Sequence, residues 1–274
     1  MSLEPRYVCS IDIGGTKIAS ALLRFDGADV MPEIVFEDAT PTLAAEGGEA
    51  VYARIEAAAK KVIERSPAPV AGIGVGSAGV VDHRTGVIAY ANDIMPGWGG
   101  IELGPRLAAA CGVPTAVMGD VHAHALGEAR WGAGRGRESM LCLGIGTGIG
   151  GAFVVDGKVL RGFHGAAGHM GHVESAAAAG MSCACGRSSH IESVASGTSI
   201  GRVFEDRFGR IDPKRPVTGF DVNELSVAGD ERAREVVYNS GFALGATLGS
   251  LCNILDPEVI VLSGGVVHLS LIHI

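Results

Sequence analysis

No long run of either charge sign interrupts this chain. Lys and Arg number 22 against 30 Asp and Glu, a formal net charge of −8, with an isoelectric point near 5.6. That balance argues against a basic face for nucleic acid; small polar or anionic ligands held by backbone amides stay open. No apolar run reaches the length of a membrane span, so no membrane partner is expected. The opening MSLEPRYVCSIDIGG lacks the basic segment and apolar core of a signal peptide, and the expected location is cytoplasmic. Cys9, Cys111, Cys142 and Cys252 stand singly in apolar segments and read as reduced, buried small hydrophobes, so a disulfide framework is not expected. Aromatics are scarce, 5% in a chain that is 47% apolar. What abounds is glycine, 42 residues with no G-x-y period, which means many tight turns and excludes collagen. A length of 274 residues leads us to expect two lobes.

The first tight turn joins two apolar strands. Residues 6–13 (RYVCSIDI) and 17–25 (KIASALLRF) read as a hairpin whose turn carries Asp12, Gly14, Gly15, Thr16 and Lys17. Two glycines let an anion approach backbone N–H groups. Lys17 can reach a phosphate as a point charge, and Asp12 can hold Mg²⁺ directly or through water. An ordinary glycine hairpin with a surface lysine fits DIGGTK as well. Residues 140–155 (MLCLGIGTGIGGAFVV) repeat the design, with Thr147 the one polar side chain among Gly144, Gly146, Gly148, Gly150 and Gly151. The pair points to a duplicated α/β lobe, each copy offering a phosphate-holding turn to a shared cleft.

Between the hairpins, Val51, Ile55, Ala58 and Val62 recur at helical spacing within 46–65, a covering helix. A strand at 70–76 runs into Ser77-Ala78-Gly79 and a second turn-rich hairpin, VVDHRTGVI. The loop with Asn92, Asp93 and Pro96-Gly97-Trp98 offers groups suited to sugar hydroxyls, though most such loops are solvated turns. Ile101–Cys111 reads as a short helix stopped by Gly112 and Pro114, and Thr115–Met118 as a strand. Asp120 follows at the start of a helical run. Capping that helix is its routine role; the carboxyl end of a strand is also where open α/β sheets bind ligands, and the helix dipole favours the ionised form. A long small-residue helix spans Glu231 to Leu255, broken by Asp256-Pro257. EVIVLSGGVV is a last strand, where Gly264 and Gly265 would let a flat base lie close to the backbone. The chain then stops at SLIHI with no helix over that strand, so a truncated end is expected.

Residues 164–192 hold four of the nine histidines and two of the six cysteines. Thiolate and imidazole are the ligands Zn²⁺ takes in closed tetrahedral sites, and His172, Cys183, Cys185 and His190 could supply them. The C-x-C spacing is tighter than the common C-x₂₋₄-C, so a polar loop with scattered thiols is the competing reading. His169 reads equally as a structural histidine or a substrate contact, and His122 and His124 as packing or surface residues.

In this order, DIGGTK, LGIGTGIGGAF and LDPEVIVLSGG resemble the two phosphate motifs and the adenosine motif of the ROK family of bacterial sugar kinases and related repressors. The resemblance runs from Asp12 to Gly265 and implies a two-lobed actin-like ATPase fold with duplicated lobes and a central cleft. It places an N-terminal lobe at 1–118 and a C-terminal lobe at 119–274. The absence of an N-terminal helix-turn-helix segment favours kinase over repressor. The implied activity is ATP-dependent phosphorylation of a hexose or N-acylated hexosamine at its C6 hydroxyl, with Asp120 as general base; a non-catalytic sugar sensor is the alternative. Asp12, Gly14, Gly15, Thr16, Lys17, Gly146, Thr147, Gly148, Gly264 and Gly265 would bind ATP and Mg²⁺. Gly79, Asn92, Asp120, His169, His172 and Glu192 would meet the sugar, beside a structural Zn²⁺ on His172, Cys183, Cys185 and His190. A homodimer is also implied. Three positions depart from the family pattern: Gly119 replaces an Asn, His169 a Glu, and His190 the last Cys of the zinc cluster. Histidine at 190 keeps a zinc ligand. Gly119 and His169 change the hydrogen-bond set of the sugar pocket, so the sugar is left open.

Overall fold

Alternation of buried and exposed positions makes Arg6–Ile13 a strand, β1, which turns Cys9, Ile11 and Ile13 into one core. The structure, a computed structural model, describes residues 5–27, 30–91 and 95–268. Its chain divides into two units, Met1–Arg135 with Arg161–Ala167, and Gly136–Leu160 with Gly168–Ile274.

In the first unit β2 (Lys17–Phe25) folds back antiparallel on β1, with Ile13 opposite Ile18, and β3 (Glu33–Pro41) continues antiparallel on β2. Helix α1 (Gly48–Glu64) buries Val51, Tyr52, Ile55, Ala59 and Val62 on the face its 3.6-residue period presents. Strand β4 (Val70–Ser77) runs parallel to β1, β5 (Val80–Asp82) pairs with β6 (Val87–Tyr90), and α2 (Leu103–Cys111) leads to β7 (Thr115–Gly119), parallel to β4. Helix α3 (Asp120–Trp131) follows with no intervening loop. The sheet order is β3-β2-β1-β4-β7.

The second unit repeats the plan. Strands β8 (Ser139–Ile145), β9 (Ile149–Val155) and β10 (Lys158–Val159) pair antiparallel in turn. After the helices α4 (Glu192–Ala195), α5 (Gly197–Phe208), α6 (Gly219–Val227) and α7 (Glu231–Leu255), β11 (Val259–Ser263) lies parallel to β8. The order β10-β9-β8-β11 matches β3-β2-β1-β4 in position and direction. The duplicated α/β architecture read from the two glycine hairpins is therefore present in the backbone.

Several details differ from the sequence reading. Strand β3 escaped it because EIVFEDATP carries three acids on a half-exposed edge strand, where the apolar alternation is weak. Helix α6 escaped it too, though Thr218 and Asp221 form a reciprocal capping box at its start. Cys111 and Cys252 are half-buried rather than buried. Trp98 is core, 1% exposed, with Nε1 donating to Ser77 Oγ at 3.2 Å, so its ring is withdrawn from any ligand. Helix α3 belongs to the first unit, past the expected boundary at 118, because it lies on β4 and β7 and His122 Nε2 hydrogen-bonds Ala167 O at 2.8 Å. Among the described residues, no helix is long and apolar enough to cross a membrane.

Candidate active site

In the first unit, parallel strands β1, β4 and β7 end side by side. Their register sets Asp12 opposite Gly76, and Ser77 opposite Gly119, so Asp12 and Asp120 emerge at the carboxyl edge of one sheet. Gly76 lies between them. A Cβ built there would sit 3.5 Å from Asp12 Oδ1 and 3.6 Å from Asp120 Cα, so any longer side chain would crowd both acids. Asp12 is exposed and Asp120 half-buried. Asp120 is the first residue of α3, one past the N-cap Gly119, and its Oδ1 accepts the Val121 N–H at 2.8 Å, one of the amides the helix start leaves without an intrahelical partner.

The DIGGTK turn is closed by the Gly14 N–H, which donates to Lys17 O at 3.0 Å. It is fastened from outside by a residue that sequence reasoning missed. Thr42, fully buried, donates through Oγ1 to Gly14 O at 2.7 Å, and its N–H donates to Thr16 O at 2.9 Å. These bonds leave Gly15, Thr16 and Lys17 exposed beside Asp12. Thr42 lies 28 positions from Gly14, so no local pattern announces it. Gly79 has φ +94°, and a Cβ there would lie 2.6 Å from Tyr90 O, so the position demands glycine. Asn92 lies outside the described residues.

In the second unit Gly146 N–H donates to Gly148 O at 2.9 Å, leaving Thr147 exposed at the tip of the turn. Gly264 follows β11 at φ +92°, where a Cβ would be 2.4 Å from Ile145 O; Gly197, a second missed residue, donates its N–H to Gly146 O at 2.8 Å. The residues read as phosphate and adenosine sites in this unit, Gly146–Gly148 and Gly264-Gly265, are thus neighbours.

The His/Cys stretch is anchored to the same turn. Gly171 packs so closely on β9 that a Cβ would lie 2.1 Å from Ile149 O. Glu192, opening α4, accepts the Ile149 N–H at 2.9 Å through Oε2, and Cys183 Sγ lies 3.7 Å from its Oε1. The ligand atoms of His172, Cys183, Cys185 and His190 all fall within 4.8 Å of one another. A tetrahedral Zn²⁺ with these ligands has edges of about 3.3–3.8 Å. Cys183 Sγ to His172 Nδ1 is 3.6 Å and Cys185 Sγ to His190 Nδ1 is 3.3 Å, so the donor set fits the ion in number and type, and these two edges fit it in length. Burial pushes the Cys183 thiol up and the His172 imidazole down, which favours their neutral forms in the absence of a cation. The His169 ring stacks near His172, with centroids 6.3 Å apart.

A family model described as the ROK family matches residues 8–272. The glucokinase of Halalkalibacterium halodurans is 34% identical, over 96% of this chain and 82% of its own. The N-acetylmannosamine kinase of Yersinia pseudotuberculosis is 32% identical, over 94% of this chain and 82% of its own. Among solved structures, a ROK family glucokinase from Streptomyces griseus, in complex with glucose and AMPPNP, aligns with a TM-score of 0.77 at 28% identity. That alignment covers 95% of this chain and 83% of the other.

Proposed function

This chain belongs to the ROK family and has its actin-like ATPase fold; on that premise we propose that it is an ATP-dependent sugar kinase acting on the C6 hydroxyl of a hexose or N-acylated hexosamine. The relatives act on glucose and on N-acetylmannosamine, and both classes of acceptor stay within the proposal. The observation that carries it is the pairing of Asp12 and Asp120 across Gly76 at one sheet edge.

Each carboxylate has its own task. Asp120 accepts the proton of the sugar hydroxyl as that oxygen attacks the γ-phosphoryl group of ATP. The transition state of phosphoryl transfer is loose, so positioning and charge neutralisation supply most of the rate enhancement. Asp12 would hold Mg²⁺, which neutralises phosphate charge when bound. Lys17 and the amides of Gly15 and Thr16 supply fixed positive ends to the phosphates, as do those of Thr147 and Gly148 in the second unit, while Gly14 and Gly146 close the two turns through their own N–H groups. Gly264 and Gly265 take the adenosine. Gly79, Asn92, His169, His172 and Glu192 are assigned to the sugar, with His169 the position at which the choice of sugar turns. Zn²⁺ on His172, Cys183, Cys185 and His190 would cross-link the loop that bears these groups. We assign the active form to the cytoplasm; family resemblance supports a homodimer, with light scattering the check on the latter.

A coupled ATP assay over a panel of hexoses and N-acylated hexosamines tests the proposal. Asp120→Asn should lose turnover by several orders of magnitude while sugar affinity stays near that of the wild type. Sugar binding without turnover by the wild-type chain would replace the kinase with the sensor.

A further inference from the structure

The first unit contains a cavity of about 350 Å³ that the proposed chemistry does not use. It opens along β7, the edge strand of the sheet, and is bounded by the β5–β6 turn, the start of α2 and Arg161. The turn is held against α2 by two glycines. Gly104 N–H donates to Gly86 O at 2.9 Å, and a Cβ on Gly104 would come within 3.2 Å of Gly86 Cα. This contact fixes His83 and Arg84 at the cavity.

Charge at this place opposes that of the whole molecule. The chain carries a net −8, yet His83, Arg84 and Arg161 line the cavity and no carboxylate does. The adjacent Asp82 is engaged by the turn itself, its Oδ1 accepting Arg84 N–H at 2.9 Å. Among the described residues neither guanidinium forms an ion pair; Arg84 lies 5.3 Å above the exposed ring of Phe163. His83 Nδ1 is buried with no hydrogen-bond partner. Two guanidinium groups at a cavity with no carboxylate in its lining leave charged donors available to an anion.

We propose that this cavity is a binding site for a small tetrahedral anion, inorganic phosphate or the phosphate group of a small metabolite, held by Arg84 and Arg161 beside His83. Guanidinium groups present planar forks of donors that match phosphate oxygens, and the cavity leaves room for a small organic body on the phosphate. No residue of the DIGGTK turn lines it, so the site is separate from the proposed ATP phosphate site. One wall is Thr115–Met118, the segment of β7 that leads into Gly119 and Asp120, so the bound anion touches the strand that carries the proposed base.

Met118 borders the cavity and serves as the reporter. The full chain, labelled with ¹³C at the methionine methyls, is titrated with inorganic phosphate, with chloride at matched ionic strength as control. The Met118 resonance, assigned through Met118→Leu, should shift to saturation with phosphate and stay still with chloride. Arg84→Gln with Arg161→Gln should weaken the midpoint about tenfold or more, as expected for losing charge-assisted bonds. Lys17→Gln should leave it unchanged. If the double variant melts below the wild type without phosphate, Arg161→Gln alone is read in the same way. Glycerol phosphate in a parallel titration separates the sources: tighter binding than phosphate identifies an ester ligand, weaker binding free phosphate, and either supports the site. A Met118 signal that does not move with phosphate, that moves with an unaltered midpoint in the arginine variant, or whose response vanishes in Lys17→Gln overturns the proposal.

Discussion

Removing the carboxylate of Glu192 should loosen the second glycine turn. Its Oε2 accepts the N–H of Ile149, a residue 6% exposed at the first position of β9. In Glu192→Ala that N–H loses a charged acceptor. The cost of leaving such a donor without its partner is about 1–3 kcal/mol, and the half-buried position of Glu192, which lets water substitute, puts it nearer about 1–2 kcal/mol. For a chain of this size each kcal/mol moves the melting midpoint by roughly 2–4 °C, so a fall of roughly 2–8 °C is expected by circular dichroism. Glu192→Gln keeps an amide oxygen for the same N–H and should recover most of the loss. Gly148 adds an independent check. A Cβ there would sit 2.6 Å from Glu192 Oε2, so Gly148→Ala should displace the carboxylate and destabilise the wild type, yet be neutral in the Glu192→Ala background. Additive effects of the two changes, or equal losses in the Ala and Gln variants, would refute the tie between Glu192 and the turn.

Other consequences are open to direct measurement. The purified chain should carry about one Zn²⁺, and Cys183→Ser or His190→Ala should remove it and lower the melting midpoint, whereas an unchanged melt after chelation would count against a structural ion. Arg215 beside Asp221, with hydrogen bonds from Thr218, holds the Asp221 carboxyl well below the usual carboxylate range. A depressed acid contributes stability above its unfolded pKa and loses it as the pH falls, so the gap between wild type and Asp221→Asn should be full near neutrality and close below about pH 4. Acid melts of the two proteins that stay parallel would contradict this. Burial, reinforced by neighbouring Cys111, pushes the Cys9 thiol up to about 12. Native alkylation at about pH 8, followed by mass spectrometry, should therefore leave Cys9 unlabelled, since the thiolate is the nucleophile.

Much of the fold is written locally. The alternation in 6–13 and 17–25, the apolar spacing of α1 and the glycine turns at 14–15 and 146–148 are short-range signals, and each became the element it suggested. The repetition of one hairpin design announced two like units, and the order β10-β9-β8-β11 against β3-β2-β1-β4 bears that out. Where polar side chains weakened the pattern, as in β3, or where a capping box stood alone, as at Thr218, the elements passed unnoticed.

The chemistry of the site divides in the same way. Residue type and spacing alone named Asp12, Lys17, Asp120 and the four His/Cys ligands as candidates, because phosphate, magnesium and zinc each select particular donor atoms. They left Asp120 undecided between a cap and an acid held for chemistry, and set Trp98 in a loop with groups suited to sugar hydroxyls. Tertiary structure buried the indole against Ser77 and set Asp120 near Asp12 at one sheet edge, with its Oδ1 on the Val121 N–H at the helix start. It alone revealed Thr42 fastening the first turn, Gly76 standing between two acids and Glu192 bound to Ile149. Each of these joins residues tens of positions apart, and contacts of that range exist only once strand pairing has closed the chain upon itself.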